Sequence, residues 1–231
     1  MSEGTDAGKI VNWQGVIDAH IQASRRDKKE KPDNVFSPSM VDGCLRQSTI
    51  MKLGLKGFDT ETLRKFMVGT MIHKYVQTEA AIGHLPRPVE FEKRTELDIF
   101  ASKEDEDNNT PKIRFEGYAD AWDGETVYDF KSHSYLEYAK KKPIDLGYRY
   151  QMSIYAHALG TDKLQIVFID KRTLEVFQKE VEIVPIKDII LFCEKVLDAV
   201  EDYRKHKKLP DYCDCWKCHY EKKEAEKVGR E

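Results

Sequence analysis

Apolar positions along the chain change their period several times, and each change marks an element. In residues 10–24, Ile10, Trp13, Ile17 and Ile21 recur at helical spacing, and the charged run RRDKKEKPD that follows ends the pattern. A preliminary helix and polar linker are therefore expected over 1–35. The segment SPSMVDGCLRQSTIMKLGL predicts one short helix opening at Ser37 or Ser39, with Pro38 in its first turn and Gly54 at its end. A longer helix is expected from Asp59 or Thr60 to about Ile82, carrying Phe66, Gly69, Thr70, His73, Gln77 and Ala80 on one stripe. In that reading His73 faces the same way as a glycine that permits close packing.

The period then falls to two. VEFEKRTELDIF (89–100) alternates and predicts a strand, and the acidic SKEDEDNNT after it predicts a mobile loop or hairpin tip. IRFEGYADAW and ETVYDFKS read as two strands joined by a turn at Asp123-Gly124. A helix over 144–159 capped by Gly160, strands over 164–170 and 174–183, and a last helix from Pro185 to about Lys207 complete the series. The order predicts a mixed α/β fold followed by a cysteine-rich tail.

At 231 residues, 40% apolar and 34% charged, the chain has the composition of an ordinary globular protein. No run reaches the roughly 18 apolar residues of a membrane span, and the first residues lack the apolar stretch of a secretory signal. A cytoplasmic protein without membrane association is expected. A net charge of −3 argues against blanket coating of nucleic acid, yet basic clusters at 25–31, 140–142 and 205–208 offer local phosphate sites where they are not simply solvated.

Candidate chemistry concentrates in the hairpin. With a two-residue loop, Trp122 pairs with Glu125, Asp120 with Val127, and Tyr118 with Asp129. Tyr118, Asp120, Trp122, Glu125, Val127, Asp129 and Lys131 then share one face, while Ala119, Ala121, Thr126, Tyr128 and Phe130 form the core face. Asp120 and Asp129 become diagonal neighbours roughly 7–8 Å apart. Two carboxylates beside a lysine in half-buried strands are costly unless a hard divalent cation such as Mg²⁺ or Mn²⁺ holds them. Lys131 would then orient the attacking water and offset transition-state charge. A surface hairpin with an Asp–Lys pair is the alternative on spacing alone. Glu79, Glu90, Glu92 and Glu116 read as solvated side chains, as does Lys171. Among five cysteines, Cys193 reads as a small core residue. Cys213, Cys215 and Cys218 crowd into six residues, which in a reducing compartment favours metal over disulfide.

Four segments in order, GTMIH (69–73), EGYAD (116–120), YDFK (128–131) and QMSIY (151–155), resemble the motifs of the RecB-type nuclease domains of the PD-(D/E)XK superfamily. The resemblance implies an α/β, restriction-endonuclease-like fold over 36–210, a central mixed sheet flanked by helices, in which His73, Asp120, Asp129 and the carbonyl of Phe130 bind Mg²⁺ or Mn²⁺, Lys131 is catalytic, and Gln151 and Tyr155 line the cleft. Cys44 before these motifs and Cys213, Cys215 and Cys218 after them resemble the iron–sulfur branch, which includes the AddB nuclease domain and the fourth CRISPR-associated protein family. Ser37, Ser39 and Arg46 around Cys44 fit the same pattern. That branch implies a [4Fe–4S] cluster drawing residues 211–231 back onto Cys44, although its last three cysteines are usually spaced more widely than in CDCWKC. Structural zinc is the alternative.

The activity implied is metal-dependent exonucleolytic hydrolysis of single-stranded DNA ends in recombination, repair, viral replication or CRISPR-type processing. A single-strand or structure-specific endonuclease and a catalytically weak DNA-binding adaptor are the other readings. No phosphate loop of the Gly-x-x-x-x-Gly-Lys-Ser/Thr type appears, so unwinding would fall to a helicase or recombination partner.

Overall fold

The computed structural model describes residues 14, 17–20, 31–55, 60–80, 84–85 and 87–228. Ile10, Trp13, Ile21 and nearly all of the first basic cluster lie outside the described residues, while 17–20 are helical with Ile17 half exposed. Six strands form one mixed sheet: β1 (Val35–Phe36), β2 (Glu90–Ile99), β3 (Ile113–Trp122), β4 (Thr126–His133), β5 (Lys163–Asp170) and β6 (Val176–Glu180). Helices α1 (Leu45–Lys52), α2 (Thr60–Tyr75), α3 (Lys103–Asp107), α4 (Leu136–Lys141), α5 (Leu146–Leu159), α6 (Ile186–His206) and α7 (Trp216–Val228) surround it.

The pairing of β3 decides where a cleft can form. Its whole length pairs antiparallel with β2, from Ile113 opposite Ile99 to Trp122 opposite Glu90. A strand has two hydrogen-bonding edges, so β1 and β4 must divide the other one. There β1 pairs in parallel at Arg114 and Phe115, and β4 pairs antiparallel at Ala121 and Trp122. Between these two neighbours the edge of β3 from Glu116 to Asp120 pairs with no strand among the described residues. Parallel β5 continues the sheet on the far side of β4, and antiparallel β6 completes it.

Core side chains cover both faces. Val127, Leu164, Ile166 and Phe168 pack against Met152, Tyr155 and Ala156 of α5 and Leu136 and Ala139 of α4. On the other face Ala121, Phe130, Val167 and Ile169 pack against Ile72 of α2. The face carrying Val127 is thus as much core as the one carrying Phe130. Strict alternation also fails in β3, because Ala119 packs with Val127 while Ala121 packs with Phe130. The break coincides with Glu92, whose φ of 49° interrupts the β2 ladder opposite Asp120.

Several expected elements differ in detail. Instead of one helix from Ser37, there is a 3₁₀ turn over Pro38–Met40 and a separate α1 that begins after Cys44. Gly43, at φ 79°, makes the break, and a Cβ there would lie 2.9 Å from Leu146 Cγ. The close approach of α5 leaves no room for a continuous helix. On α2 the buried residue is Ile72, whereas Phe66 is exposed. The helix ends in a π turn over Val76–Ala80. The acidic loop folds into α3, capped by the Ser102 hydroxyl, which accepts the Asp105 N–H. Strand β1 and helices α4 and α7 carry no periodic signal in the sequence; β1 and α4 are too short to show one and α7 is too polar.

Candidate active site and cysteine cluster

The hairpin turn sets the geometry of the acidic residues. Asp123 Oδ1 accepts the N–H groups of Glu125 (3.0 Å) and Thr126 (2.8 Å), and the Tyr128 hydroxyl donates to Oδ2 (2.7 Å). This side-chain-built turn is longer than the two-residue loop expected, and Trp122 pairs with Val127 rather than Glu125. A slip of two residues keeps every β4 side chain on its expected face, so Asp129 and Lys131 remain with Val127. Extending that register by one residue past its last pair, where pairing ends, sets Asp120 against Asp129 instead of diagonal to it. Where β3 and β4 part, the Phe130 N–H donates to Asp120 Oδ2 at 2.7 Å.

Around Asp120 and Asp129 the structure brings together four more of the residues expected in the site. His73 Nδ1, from α2, lies 3.7 Å from Asp120 Oδ2. Its approach is possible because Gly69, one turn earlier, lets the helix come close to β4; a Cβ at that glycine would be 3.2 Å from Ser132 Oγ. Lys131 Nζ is 2.6 Å from Asp129 Oδ2. Gln151, from α5, donates from Nε2 to Asp129 Oδ1 (3.0 Å), and its Oε1 lies 3.4 Å from Lys131 Nζ. Tyr155, one turn further on, places its hydroxyl 3.5 Å from Gln151 Nε2.

The electrostatics are uneven. Burial, reinforced by the charge of Asp129, pushes the Asp120 carboxyl up to about 7. Burial and then the Lys131 charge hold His73 below its ordinary value, so its imidazole is neutral at pH 7. Burial works to lower the Lys131 ammonium, but Asp129 outweighs it and the net shift is upward. Burial also raises the Tyr155 phenol. Asp129 is 1% exposed, and its Oδ2 receives no aligned hydrogen bond despite the nearby ammonium. A buried carboxylate oxygen in that condition, facing a second carboxylate and a neutral imidazole, has the donor chemistry of a divalent-cation site.

Two participants were not legible as such. Tyr148 lies with its ring 4.8 Å below Lys131 Nζ. Its helical spacing to Gln151 and Tyr155 was a usable signal. Glu92 accepts from Gln77 Nε2 at 2.8 Å beside Asp120, and Gln77 also reaches the Asp120 carbonyl at 3.5 Å. Nothing in an alternating strand announces a left-handed residue. Against the open edge of β3 lies a cavity of about 450 Å³ lined by Ser37, Ser39, Gly117, Tyr118, Gln151 and Tyr155, among others.

The four cysteines also meet. The sulfurs of Cys44, Cys213, Cys215 and Cys218 all lie within 4.8 Å of one another, with Cys44 3.6 Å from both Cys213 and Cys218. The tail is held independently of sulfur: Arg46 bonds Glu221 Oε1 (2.7 and 3.0 Å) and the Pro210 carbonyl (2.7 Å), and Gln47 donates to Glu221 Oε2 (2.7 Å). Cys193 is fully buried in the core between α1 and α6, as expected for a small apolar side chain.

The fold itself is shared with known structures. SSO0001 matches with a TM-score of 0.57 and 16% identity over 80% of this chain and 85% of that one. An alkaline exonuclease from Laribacter hongkongensis matches with a TM-score of 0.50 and 15% identity over 84% of this chain and 95% of that one. No protein-family model and no curated protein sequence matches the chain. At such identities the shared feature is the architecture, and any chemistry has to be argued from the side chains.

Proposed function

We propose that this protein is a divalent-metal-dependent deoxyribonuclease acting on the ends of single-stranded DNA. The observation that carries the reading is Asp129: a buried carboxylate with one oxygen held by Gln151 and the other, next to Lys131, without an aligned donor. His73, Asp120, Asp129 and the carbonyl of Phe130 would hold Mg²⁺ or Mn²⁺. When bound, the ion supplies Lewis-acid polarisation of a phosphoryl oxygen and a lowered pKa for bound water.

The protein's own groups have separable tasks. Gln151 bridges Asp129 and Lys131 and fixes their relative positions. Lys131 offers its ammonium to the attacking water and to the charge that builds on the phosphoryl oxygens. His73, kept neutral by burial, presents a lone pair rather than a positive charge. Tyr155 and Gln151 line the cleft beside the unpaired β3 edge. An alkaline exonuclease shares this fold, which is compatible with action at strand ends but does not separate it from internal cleavage.

In this reading residues 36–210 form the catalytic unit and residues 211–231 a clasp on Cys44. The compact sulfur spacing fits a single tetrahedral ion, whose metal–sulfur bonds of about 2.3 Å imply sulfur–sulfur edges of about 3.8 Å. A [4Fe–4S] cluster, the group that the resemblance to the iron–sulfur branch implies, inserts iron and sulfide between its thiolates and requires them to stand further apart. Metal analysis of anaerobically purified protein, with absorbance near 400 nm, separates zinc from iron–sulfur.

End-labelled single-stranded DNA incubated with wild type and Asp129→Ala in Mg²⁺, Mn²⁺ or EDTA tests the activity. Stepwise, metal-dependent shortening by wild type alone is expected, with circular single strands resistant. Cleavage of circles would make the protein an endonuclease. Binding without cleavage by a folded, metal-loaded wild type would make it an adaptor.

A further inference from the structure

Strand β4 continues past Lys131 to His133, which by alternation projects from the same face as Asp129 and Lys131. The His133 ring stacks on Tyr138 of α4, with centroids 6.0 Å apart and planes 11° apart, and meets Phe168 edge-on at 6.3 Å. It is locked in place by the Tyr135 N–H, which donates to its Nδ1 at 3.0 Å. Beyond it the two tyrosines stand in solvent, Tyr135 at 66% and Tyr138 at 59% exposure.

One cation lies over each ring. The Arg172 guanidinium lies 5.1 Å from the centre of Tyr135 and the Lys142 ammonium 5.7 Å from that of Tyr138. Asp170 holds Arg172 through its backbone N–H (2.8 Å) and guanidinium, which fixes the cation over its ring. On the side toward the carboxylates, the exposed Tyr148 lies beneath Lys131. Tyr148, Tyr138 and Tyr135 are thus each accompanied by a cation, Lys131, Lys142 and Arg172. Water-exposed aromatic rings stabilise the fold little, so this arrangement suits a ligand with flat apolar faces and regularly spaced negative charges.

We propose that this surface is a stacking platform for the single-stranded nucleic acid that leaves the scissile phosphate, with bases on Tyr138 and Tyr135 and phosphates at Lys142 and Arg172. The proposal rests on the nuclease reading of the Asp120–Asp129–Lys131 site. Single strands fit and duplexes do not, because a paired and stacked base has no free face to offer a tyrosine.

The test uses the full chain and oligonucleotides carrying 2-aminopurine at successive positions, with Ca²⁺ replacing Mg²⁺. Stacking quenches the probe. Tyr135→Ala/Tyr138→Ala should relieve the quench and weaken binding roughly ten- to a hundredfold. Tyr135→Phe/Tyr138→Phe, which keeps both rings, should behave as wild type, as should Tyr220→Ala at an exposed tyrosine of α7. Hydrolysis of bis(p-nitrophenyl) phosphate in Mn²⁺, a substrate with no strand to stack, should be equal in wild type and the alanine variant.

Unchanged affinity and quench in a folded alanine variant would overturn the platform, as would duplex binding that is tighter than single-strand binding and indifferent to the tyrosines. Tyrosine-dependent quenching without hydrolysis of any substrate by wild type would instead uphold the platform and remove the nuclease reading.

Discussion

Asp120 and Asp129 face each other across the hairpin but are stabilised differently. Asp129 is paired with Lys131 and held by Gln151, whereas Asp120 has the Phe130 N–H and a neutral imidazole. Its folded pKa of about 7 lies above that of an unfolded aspartate, so the metal-free fold binds the extra proton between about pH 4 and 7 and loses stability as pH rises through that window. Asp120→Asn, which keeps the hydrogen bond from Phe130 without the charge, should therefore stabilise the metal-free protein at pH 8 by on the order of 1–2 kcal/mol. Urea denaturation in EDTA checks this, and a destabilised variant would contradict it. The same proton competes with a cation, so Mn²⁺ affinity measured by calorimetry should fall about fivefold from pH 7 to pH 6. Lys131→Met should lower turnover by about 10²–10³-fold, read in single-turnover assays, and leave Asp129 unpaired.

Gly43 and Gly147 belong to a junction that the periodic pattern did not show. A Cβ on Gly147 would lie 2.5 Å from the Asp42 carbonyl oxygen, a backbone atom that cannot swing aside. Gly147→Ala should cost at least about 1–3 kcal/mol and shift the urea midpoint, whereas alanine at Gly124, where a Cβ meets nothing within 4 Å but φ is 91°, should cost backbone strain alone. Elements with strong local signals were legible: strands β2 and β3, the Gly160 cap of α5 and the apolar stripe of α6 all formed within a few residues of expectation, although alternation breaks at Glu92 and Asp120. The hairpin turn was legible in place but not in length, because the Asp123 side chain builds a longer turn than Asp-Gly alone suggests. Strand β1, two residues long, exists only because β3 offers it a partner.

The sheet leaves part of one β3 edge unpaired among the described residues, and α1 is tied to α7. Arg46 and Gln47 of α1 grip Glu221 of α7, and the four cysteines lie beside that grip. Cys44→Ser should abolish binding of the clasp metal and lower the melting temperature by several degrees, with DNA affinity less affected than stability. Glu221→Gln should add to this loss rather than be silent, which thermal scans of the double variant would show.

The sequence alone determined the types of the longer elements and the α/β class, and the resemblance of its motifs to a known nuclease family supplied the candidates His73, Asp120, Asp129, Lys131, Gln151 and Tyr155. These follow from period, turn chemistry and motif spacing, which are properties of neighbours along the chain. Tertiary structure decided that Asp120 stands opposite Asp129, that β1 and β4 share one edge of β3, that Glu92 breaks the ladder at that point and that Tyr148 underlies the lysine. Such features depend on which strands compete for the same hydrogen bonds and on how closely helices approach, and both are settled only when segments distant in sequence pack together.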